Sequence, residues 1–489
     1  MVAYFSYICC TVSSMMTSSD RPNRGEHAVV LGAGMAGLLG ARVISEFFES
    51  VTIVERDALP DTVDQRRGIP QGRHLHSMLS RDWQVLEELF PGVLGELAEA
   101  GAHVLDDGDL SRVYLRAGPY ALNRTGKFAD PATLVTYLAS RPFIEFHIRR
   151  RVAALGNVRF LDAHDVVGPI ATADRVTGVR ILNRDNSDEI SLDADLVVDA
   201  MGRAARTPAF LEDLGYGRPQ EQLCTTRATY SSLLVSIPEN MFTEKLMLVT
   251  DARSGQPRGG LTAYEHGAWM LTVGRMAIDP DPPTNLAGVL ALAEQFTPPS
   301  IMAGLRAAEP LSDVSVFRYT GAVWRRYDRM SRFPIGLLVI GDGLCSLNPI
   351  YGQGMTVAAL EALALRDFLA SGSRAPQQFF RAAAKHIAPV WAMNKSNDRA
   401  PTAGRPSRST RVMNWTVNKV LKAAENDIVL TESLQRVASL IDPPSKLLNP
   451  ALIPRVIIGN LKRRRAAWAP ATNPSRKPHA ALGSGPPGS

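Results

Sequence analysis

The chain reads as an α/β protein built on a Rossmann-like nucleotide-binding domain, and three glycine-bearing strand ends predict it. The first follows a short apolar strand, His27 to Leu31, which runs into Gly32-Ala33-Gly34-Met35-Ala36-Gly37; a helical pattern continues through Phe47, and a second strand spans Val51 to Val54. The second is a buried strand, Ala194 to Ala200, closing in Asp199-Ala200-Met201-Gly202-Arg203. The third is Gly336 to Ile340, which ends in Gly341-Asp342-Gly343. It continues through Asn348-Pro349-Ile350-Tyr351-Gly352-Gln353-Gly354-Met355 into an alanine- and leucine-rich helix, Thr356 to about Leu369.

Each part of the first segment has a physical task. Gly32 lets the chain turn sharply, Gly34 removes a side chain where a pyrophosphate would approach, and Gly37 lets helix and strand pack closely. The start of the helix presents free N–H groups to an anion. Glu55, closing the second strand, can accept hydrogen bonds from ribose hydroxyls and repels a 2′-phosphate, which favours FAD or NAD over NADP. Arg56, beside it, is placed in the same site. A glycine-rich turn with no ligand is the competing reading of this segment.

In the second segment, glycine just past a buried strand allows close approach to a backbone or a ligand. An ordinary strand end is equally consistent with it. In the third, Asn348 and Pro349 terminate the preceding run, Gly352 and Gly354 let backbone lie against a flat ligand, and the helix opened by Met355 points its start at that ligand. Asp342 can hold a ribityl hydroxyl.

Composition sets the bounds. With 489 residues, 45% of them apolar, the chain can bury a large core and form two or three domains. A net charge of +6 suits anionic cofactors or acidic surfaces. There is no zinc-finger spacing and no sustained basic stripe, so no nucleic-acid partner is expected. Four cysteines, Cys9 and Cys10 adjacent and Cys224 and Cys345 isolated, form no disulfide scaffold and fit a reducing, cytoplasmic setting. Nine histidines without a further ligand pattern give no metal site. Met1 to Met16 is fairly apolar but lacks a basic start and the length to span a bilayer. It reads as an extension, as the product of an upstream start codon, or as a weak signal segment. No transmembrane helix is expected.

Beyond residue 225 the texture changes. Ala228 to Ile237, Lys245 to Val249, Gly260 to Tyr264 and Ala268 to Arg275 are strand-like, and together they suggest a mixed sheet roofing the nucleotide domain. Leu286 to Phe296 and Ile301 to Ala307 suggest helices beside it. The cleft beneath the sheet is the natural pocket, with Tyr230, Leu234, Tyr264, Trp269 and Met270 as candidate lining; alternation allows only some of them to face it. Val158 to Leu161 and Val176 to Leu182, extended by Ile190 to Leu192, read as a hairpin-rich region. Pro376 to Trp468 is helical in texture, broken by Pro401 to Ser409. Near its end Leu452 to Leu461 leads into Lys462-Arg463-Arg464-Arg465 and Trp468. That segment reads either as a packed helix with a solvated basic end or as a peripheral contact with an anionic membrane.

In this order and at this separation, the three segments resemble the FAD-binding fold of aromatic hydroxylases and related monooxygenases. Gly32, Gly34, Gly37 and Glu55 match the family's ADP-binding fingerprint. Asp199 and Gly202 match its middle Asp-Gly motif, with two residues inserted and Arg203 or Arg206 as the arginine that usually follows. Gly341 and Asp342 match the Gly-Asp motif that touches the ribityl chain, and Pro349, Gly352 and Gly354 match the loop beside the isoalloxazine ring. Gly68-Ile69-Pro70-Gln71-Gly72-Arg73-His74-Leu75-His76 and Ser140-Arg141-Pro142 look like segments of bacterial epoxidase-like flavoproteins of polyene and polyether pathways. The resemblance covers roughly residues 26 to 465.

Sequence texture and the resemblance together imply the following organisation. Residues 1–25 are a flexible extension, 26–224 the first part of an FAD-binding domain and 225–330 a substrate-binding mixed-sheet region. Residues 331–372 return to the FAD-binding domain, 373–469 form a helical region, and 470–489 are a disordered tail. The resemblance implies FAD as cofactor, NADPH or NADH as electron donor (directly or through a separate flavin reductase), and molecular oxygen. A flavin C4a-hydroperoxide would pass one oxygen atom to an apolar alkene or aromatic substrate. Arg141 would orient and stabilise charge near the ring, and the loop from Pro349 through Gly352 and Gln353 to Gly354 would supply backbone donors. His74 would contact flavin or pyrophosphate, or simply brace a loop. His74 and His76 share a face if they lie on a strand. The Trp-rich motif and catalytic lysine of flavin halogenases have no counterpart here, so chlorination is not expected. An FAD-dependent reductase of isoprenoid double bonds and a non-catalytic flavin-bearing sensor are the competing functions.

Overall fold

The computed structural model describes residues 23–250, 255–397 and 408–468, with backbone alone at 397, 409, 410 and 462–468. The expected extension up to residue 22, residues 401–407 of the expected helix break, the tail from 470 and the side chains of Lys462 to Arg465 and Trp468 lie outside the described residues. The architecture is the predicted one: an α/β domain on a parallel sheet, an α+β region with a mixed sheet, and a helical C-terminal region.

The central sheet has five parallel strands in the order Leu337–Val339, Leu196–Asp199, Gly25–Leu31, Phe48–Val54 and Val158–Leu161. Their sequences are nearly continuous apolar runs because both faces of a parallel sheet are covered. Ala28, Val29 and Val30 are wholly buried, as are Val51 and Ile53. The register places Val339, Asp199, Leu31, Val54 and Leu161 in one row, so all five strands end at one edge. Helix Met35–Ile44 packs on one face together with helix Gly354–Ala370. Val158–Leu161 therefore corrects the expectation of a hairpin there: it pairs in parallel with Phe48–Val54 as an edge strand. The hairpin sheet is made instead by His164–Ala171, Val176–Asn183 and Glu189–Asp193.

The roof is an eight-stranded mixed sheet. Ala228–Ser236, Ala268–Arg275, Pro257–Ala263 and Leu246–Thr250 pair antiparallel in that order, and Val113–Ala117 adds to Leu246–Thr250 in parallel. Alternation divides its residues. Leu233, Val235, Leu271 and Val273 point away from the central sheet into a second core with Ile301 and Leu305 of helix Pro299–Arg306 and Val289 of helix Leu286–Ala293. The other side faces the central domain.

Helices Pro376–Asn397, Arg408–Ala424, Ile428–Ala438 and Ile453–Trp468 complete the chain. Among the described residues no helix is long and apolar enough to cross a membrane.

The closest backbone approach lies inside the first turn. A Cβ on Gly37 would fall 1.8 Å from the Gly32 carbonyl oxygen. Gly37→Ala is expected to destabilise the fold by at least roughly 1–3 kcal/mol. Gly95→Ala, in helix Val93–Glu99 with open space around it, should gain up to about 1 kcal/mol. Urea midpoints check both, and equal midpoints for the two variants would contradict the packing described.

Candidate active site

The strand ends bring the three glycine segments into contact. A Cβ on Gly32, whose φ is +105°, would meet the Ala200 carbonyl oxygen at 2.7 Å; one on Gly341, at φ +65°, would meet the Ala36 Cβ at 2.6 Å. Only a missing side chain permits such contacts. The third segment also lies at ordinary contact distance from the second, since a Cβ on Gly343 would stand 3.6 Å from the Gly202 carbonyl oxygen. Beyond them the backbone opens outward: a Cβ at Gly202 or Gly354 would meet nothing within 4 Å, and at Gly34 only the tip of Ile69 at 3.5 Å.

Glu55 is buried and braces the fingerprint loop, accepting from the Ala33 N–H at 2.7 Å and the Asp57 N–H at 3.0 Å. Arg56 is not brought in with it. Its guanidinium is exposed and lies 3.9 Å from Asp165. Asp199 is fully buried and turned inward; it accepts from the Met201 N–H at 2.8 Å and from the Thr207 hydroxyl. Both oxygens are thus used to shape the turn that presents Gly202. Arg203 donates to the Gly321 carbonyl, and Arg206 stacks over Phe210. Arg325, which sequence reasoning passed over, ties these segments together by donating to the carbonyls of Arg203 and Gly343, each at 3.0 Å. An isolated arginine on a strand carries no pattern that would reveal it.

A charged cluster closes the edge. Ser140 caps helix Arg141–Ala153, accepting from the Phe143 N–H at 3.2 Å, and so fixes Arg141 at its first position. The Arg141 guanidinium is buried. Its Nε lies 3.5 Å from Glu145 without a hydrogen bond, and Nη1 meets the Met355 sulfur. His76 Nε2 reaches the same sulfur at 3.2 Å. Burial, reinforced by Arg141, pushes the His76 imidazole down to about 3, so it is neutral. Burial pushes the Asp342 carboxyl up, while Arg203, Arg141 and Arg325 pull it back. Arg66, also missed by the sequence, bonds Glu145 at 2.8 Å and the Ala33 carbonyl at 3.0 Å and lies 3.4 Å from Glu55. It links the fingerprint loop to the helix of Arg141.

Asn348 accepts from the Ile350 N–H at 3.2 Å and starts the turn Pro349–Tyr351. Gly352 ends it at φ +64°, 3.1 Å (for an added Cβ) from the Ser77 carbonyl. The Gln353 side chain points away, into the helical region, where its oxygen accepts from Asn394 at 3.0 Å.

Against this turn lies a mostly apolar cleft with about 860 Å³ of free space, part of it open to solvent; Pro349, Ile350, His74, Leu75, Tyr230 and Phe317 are among its walls. Of the five proposed lining residues, Tyr230 alone is there. Leu234 and Met270 share its face of the sheet but pair with each other further along the strands. Trp269 points to the opposite face and packs on Phe242 at 5.3 Å. Tyr264 is buried, and its hydroxyl accepts from the His76 N–H at 2.8 Å, holding that segment. Phe317 enters through the strand pairing Tyr230↔Phe317, which no sequence pattern announces. His74 and His76 do not lie on a strand, because Pro70–Arg73 coils into a 3-10 turn before them. His74 Nδ1 lies 2.9 Å from the Ser232 hydroxyl, and its ring stands edge-on to Tyr230 at 5.3 Å. Burial lowers it to about 4. Among the described residues no group of histidine, cysteine and acidic side chains can hold a metal ion.

The backbone clearings at Gly34, Gly202 and Gly354, the buried Arg141 Nε without a hydrogen bond and the Asp342 carboxyl accord with a long, flat, anionic ligand lying along the edge.

No family model matches the chain. It is 36% identical over 460 residues to Protein Rv3254 of Mycobacterium tuberculosis (strain ATCC 25618 / H37Rv), covering 90% of this chain and 95% of that protein. Among solved structures, a flavoprotein/dehydrogenase from Cytophaga hutchinsonii superposes with a TM-score of 0.62 at 14% identity, over 90% of this chain and 100% of that one. The p-nitrophenol 4-monooxygenase PnpA from Pseudomonas putida DLL-E4 gives 0.60 at 16%, over 86% and 98%. The flavin-dependent brominase Bmp2 gives 0.55 at 14%, over 90% and 100%. At these identities the three structures share the fold with this chain.

Asp82 offers a test of the cluster. It is fully buried beside Thr356, one oxygen lacks a partner, and burial pushes its carboxyl from 3.8 up to about 7 despite Arg141. The unfolded chain therefore gives up this proton first. The group's contribution to stability is fully present below pH 4 and is lost as pH rises toward 7. Relative to Asp82→Asn, the wild type should lose stability between those values and change no further above them, measured by denaturation at fixed pH. A pH-independent difference would contradict a buried, protonated Asp82.

Proposed function

The chain belongs to the family of Protein Rv3254, and from that premise we propose that it is an FAD-dependent monooxygenase acting on an apolar alkene or aromatic substrate. The observation that carries this reading is the row of strand ends at which the three glycine segments meet, Gly32 against Ala200 and Gly341 against Ala36, with Arg141 and Asp342 beside them and an apolar cleft against Pro349 and Ile350. Ligands of open α/β sheets bind outside the carboxyl ends of the strands. The fold shared with PnpA and the other neighbours supports a flavin as that ligand.

The residues fit FAD as follows. The Gly32–Gly37 turn and the helix start would receive the pyrophosphate. Glu55 would lie beside the ribose, Asp342 beside the ribityl chain, and Arg141 with the Pro349–Gly354 backbone beside the ring. Once reduced by NADPH or NADH, directly or through a separate flavin reductase, the cofactor would supply the activation of molecular oxygen.

The chain's own part is positional and electrostatic. Arg141 holds a fixed positive charge at the ring end without needing to reorganise. His76 and His74 are neutral near pH 7, so they add no competing positive charge. The mostly apolar walls of the cleft would seat an apolar substrate against Ile350 and displace water from its contact surface. Epoxidation of an alkene and hydroxylation of an aromatic ring both fit this arrangement. Chlorination is disfavoured, because no lysine lies in the segments 32–37 and 341–355.

Purified protein is expected to bind FAD and, with NADPH or NADH under air, to consume oxygen in step with an oxygenated product from a polyene. Asp342→Asn should weaken FAD binding about tenfold, the scale of one hydrogen bond to a charged group. Colourless protein that refuses FAD would sink the proposal. A saturated product formed without oxygen would replace it with an alkene reductase.

A further inference from the structure

We propose that the outer face of the last two long helices docks the protein onto an anionic lipid surface. Helices Arg408–Ala424 and Ile453–Trp468 form an antiparallel pair. Arg455 lies 3.0 Å from Asp427, just beyond the end of the first helix; Gly459 packs on Ala423, where an added Cβ would come within 2.8 Å; and the Asn460 amide donates to the Lys419 carbonyl at 3.0 Å. Rising numbers on one helix meet falling numbers on the other.

The inner side of the pair closes on a small core with Val420, Ala424 and Leu430. Among the described residues nothing covers the outer side. Trp415 is 63% exposed and Val412 58%, and Ile453, Ile457, Ile458 and Leu461 are each more than half exposed. Ile453, Ile457 and Leu461 recur every fourth residue and form one stripe. The contact of Asn460 with Lys419 puts Leu461 about one turn from the level of Trp415. Other large exposed apolar residues, such as Val63, Leu223 and Ile278, are scattered through separate segments. Scattered residues of that kind are ordinary, whereas a concentration of them is not.

The charges say what covers the patch. Neither helix contains an aspartate or glutamate, while Arg408, Arg411, Lys419, Lys422 and Arg455 lie on them. Arg455 is engaged by Asp427, and Lys419 Nζ sits 5.7 Å over the Trp415 ring. A water-facing helix mixes signs; apolar residues on helices whose own charged residues are all cations are the pattern of an interfacial helix, and tryptophan prefers the headgroup level. A second copy of this chain would bring the same cations against themselves and be repelled. The proposal does not rest on the flavin reading: it would place a protein for apolar substrates where such molecules dissolve, but it stands on the surface alone.

The test uses the full chain sedimented with vesicles of mixed phosphatidylglycerol and phosphatidylcholine, and with vesicles of phosphatidylcholine alone. Binding to the mixed vesicles is expected to be at least about tenfold tighter and weakened by salt. Their addition should shift tryptophan emission to the blue in wild type but less in Trp415→Phe. The double variant Trp415→Ser/Ile457→Ser should lose binding at an unchanged thermal midpoint, since both side chains face outward. Failure to bind, equal binding to both vesicles, or unaltered binding by the double variant would overturn the proposal. So would a lipid-free dimer that the same substitutions disperse, which would assign the face to a second copy.

Discussion

Everything at the candidate site depends on parallel strand register. Because Val339, Asp199, Leu31 and Val54 stand in one row, four chain segments far apart in sequence leave the sheet at one edge and must pass one another within van der Waals distance. That crowding is tolerated only where Cβ atoms are missing. Gly32 and Gly341 are therefore required twice over: once for the turn, at positive φ, and once for a neighbour that occupies the space a side chain would fill. The same edge leaves backbone facing open space at Gly202 and Gly354, so packing demands and ligand access are met by one device.

A second constraint is electrostatic. Burying Arg141 and Arg66 beside Glu55, Glu145, Asp82 and Asp342 is costly unless each charge finds a partner. The network is only partly satisfied: the Arg141 Nε and one oxygen each of Asp82 and Glu145 lack hydrogen bonds. Such groups are expensive in a purely structural role and are characteristic of a place prepared for a polar ligand. Arg66 couples the parts mechanically as well, since it holds the Ala33 carbonyl and Glu145 at once.

The roof sheet shows how far alternation can carry an inference. Four of its eight strands were legible in the sequence to within a few residues, because β-branched and aromatic runs announce them, whereas Val113–Ala117, Ser315–Tyr319 and two two-residue strands were not. Alternation correctly allows Trp269 and Tyr230 opposite faces, but it cannot say how far along a strand the cleft extends. Hence Leu234 and Met270 sit on the cleft's side of the sheet and still miss it. The edge strand Val158–Leu161 was misassigned for a related reason: a four-residue apolar run looks the same in a hairpin and at the margin of a parallel sheet.

Sequence by itself determined the nucleotide-binding architecture, because glycine spacing, strand hydrophobicity and helix texture are local properties that each constrain a few consecutive residues. It also singled out Glu55, Asp199 and Asp342, since an acid at a strand end is visible in the text, while Arg141 came from the family resemblance of its segment. Only the tertiary structure decided what those residues face. It turned Asp199 inward onto Thr207, left Arg56 exposed, brought Met355 between Arg141 and His76, and recruited Arg66, Arg325, Asp82 and Phe317. The reason is physical: a side chain's partners come from segments tens to hundreds of residues away, and their arrival is set by register and packing that no local pattern encodes.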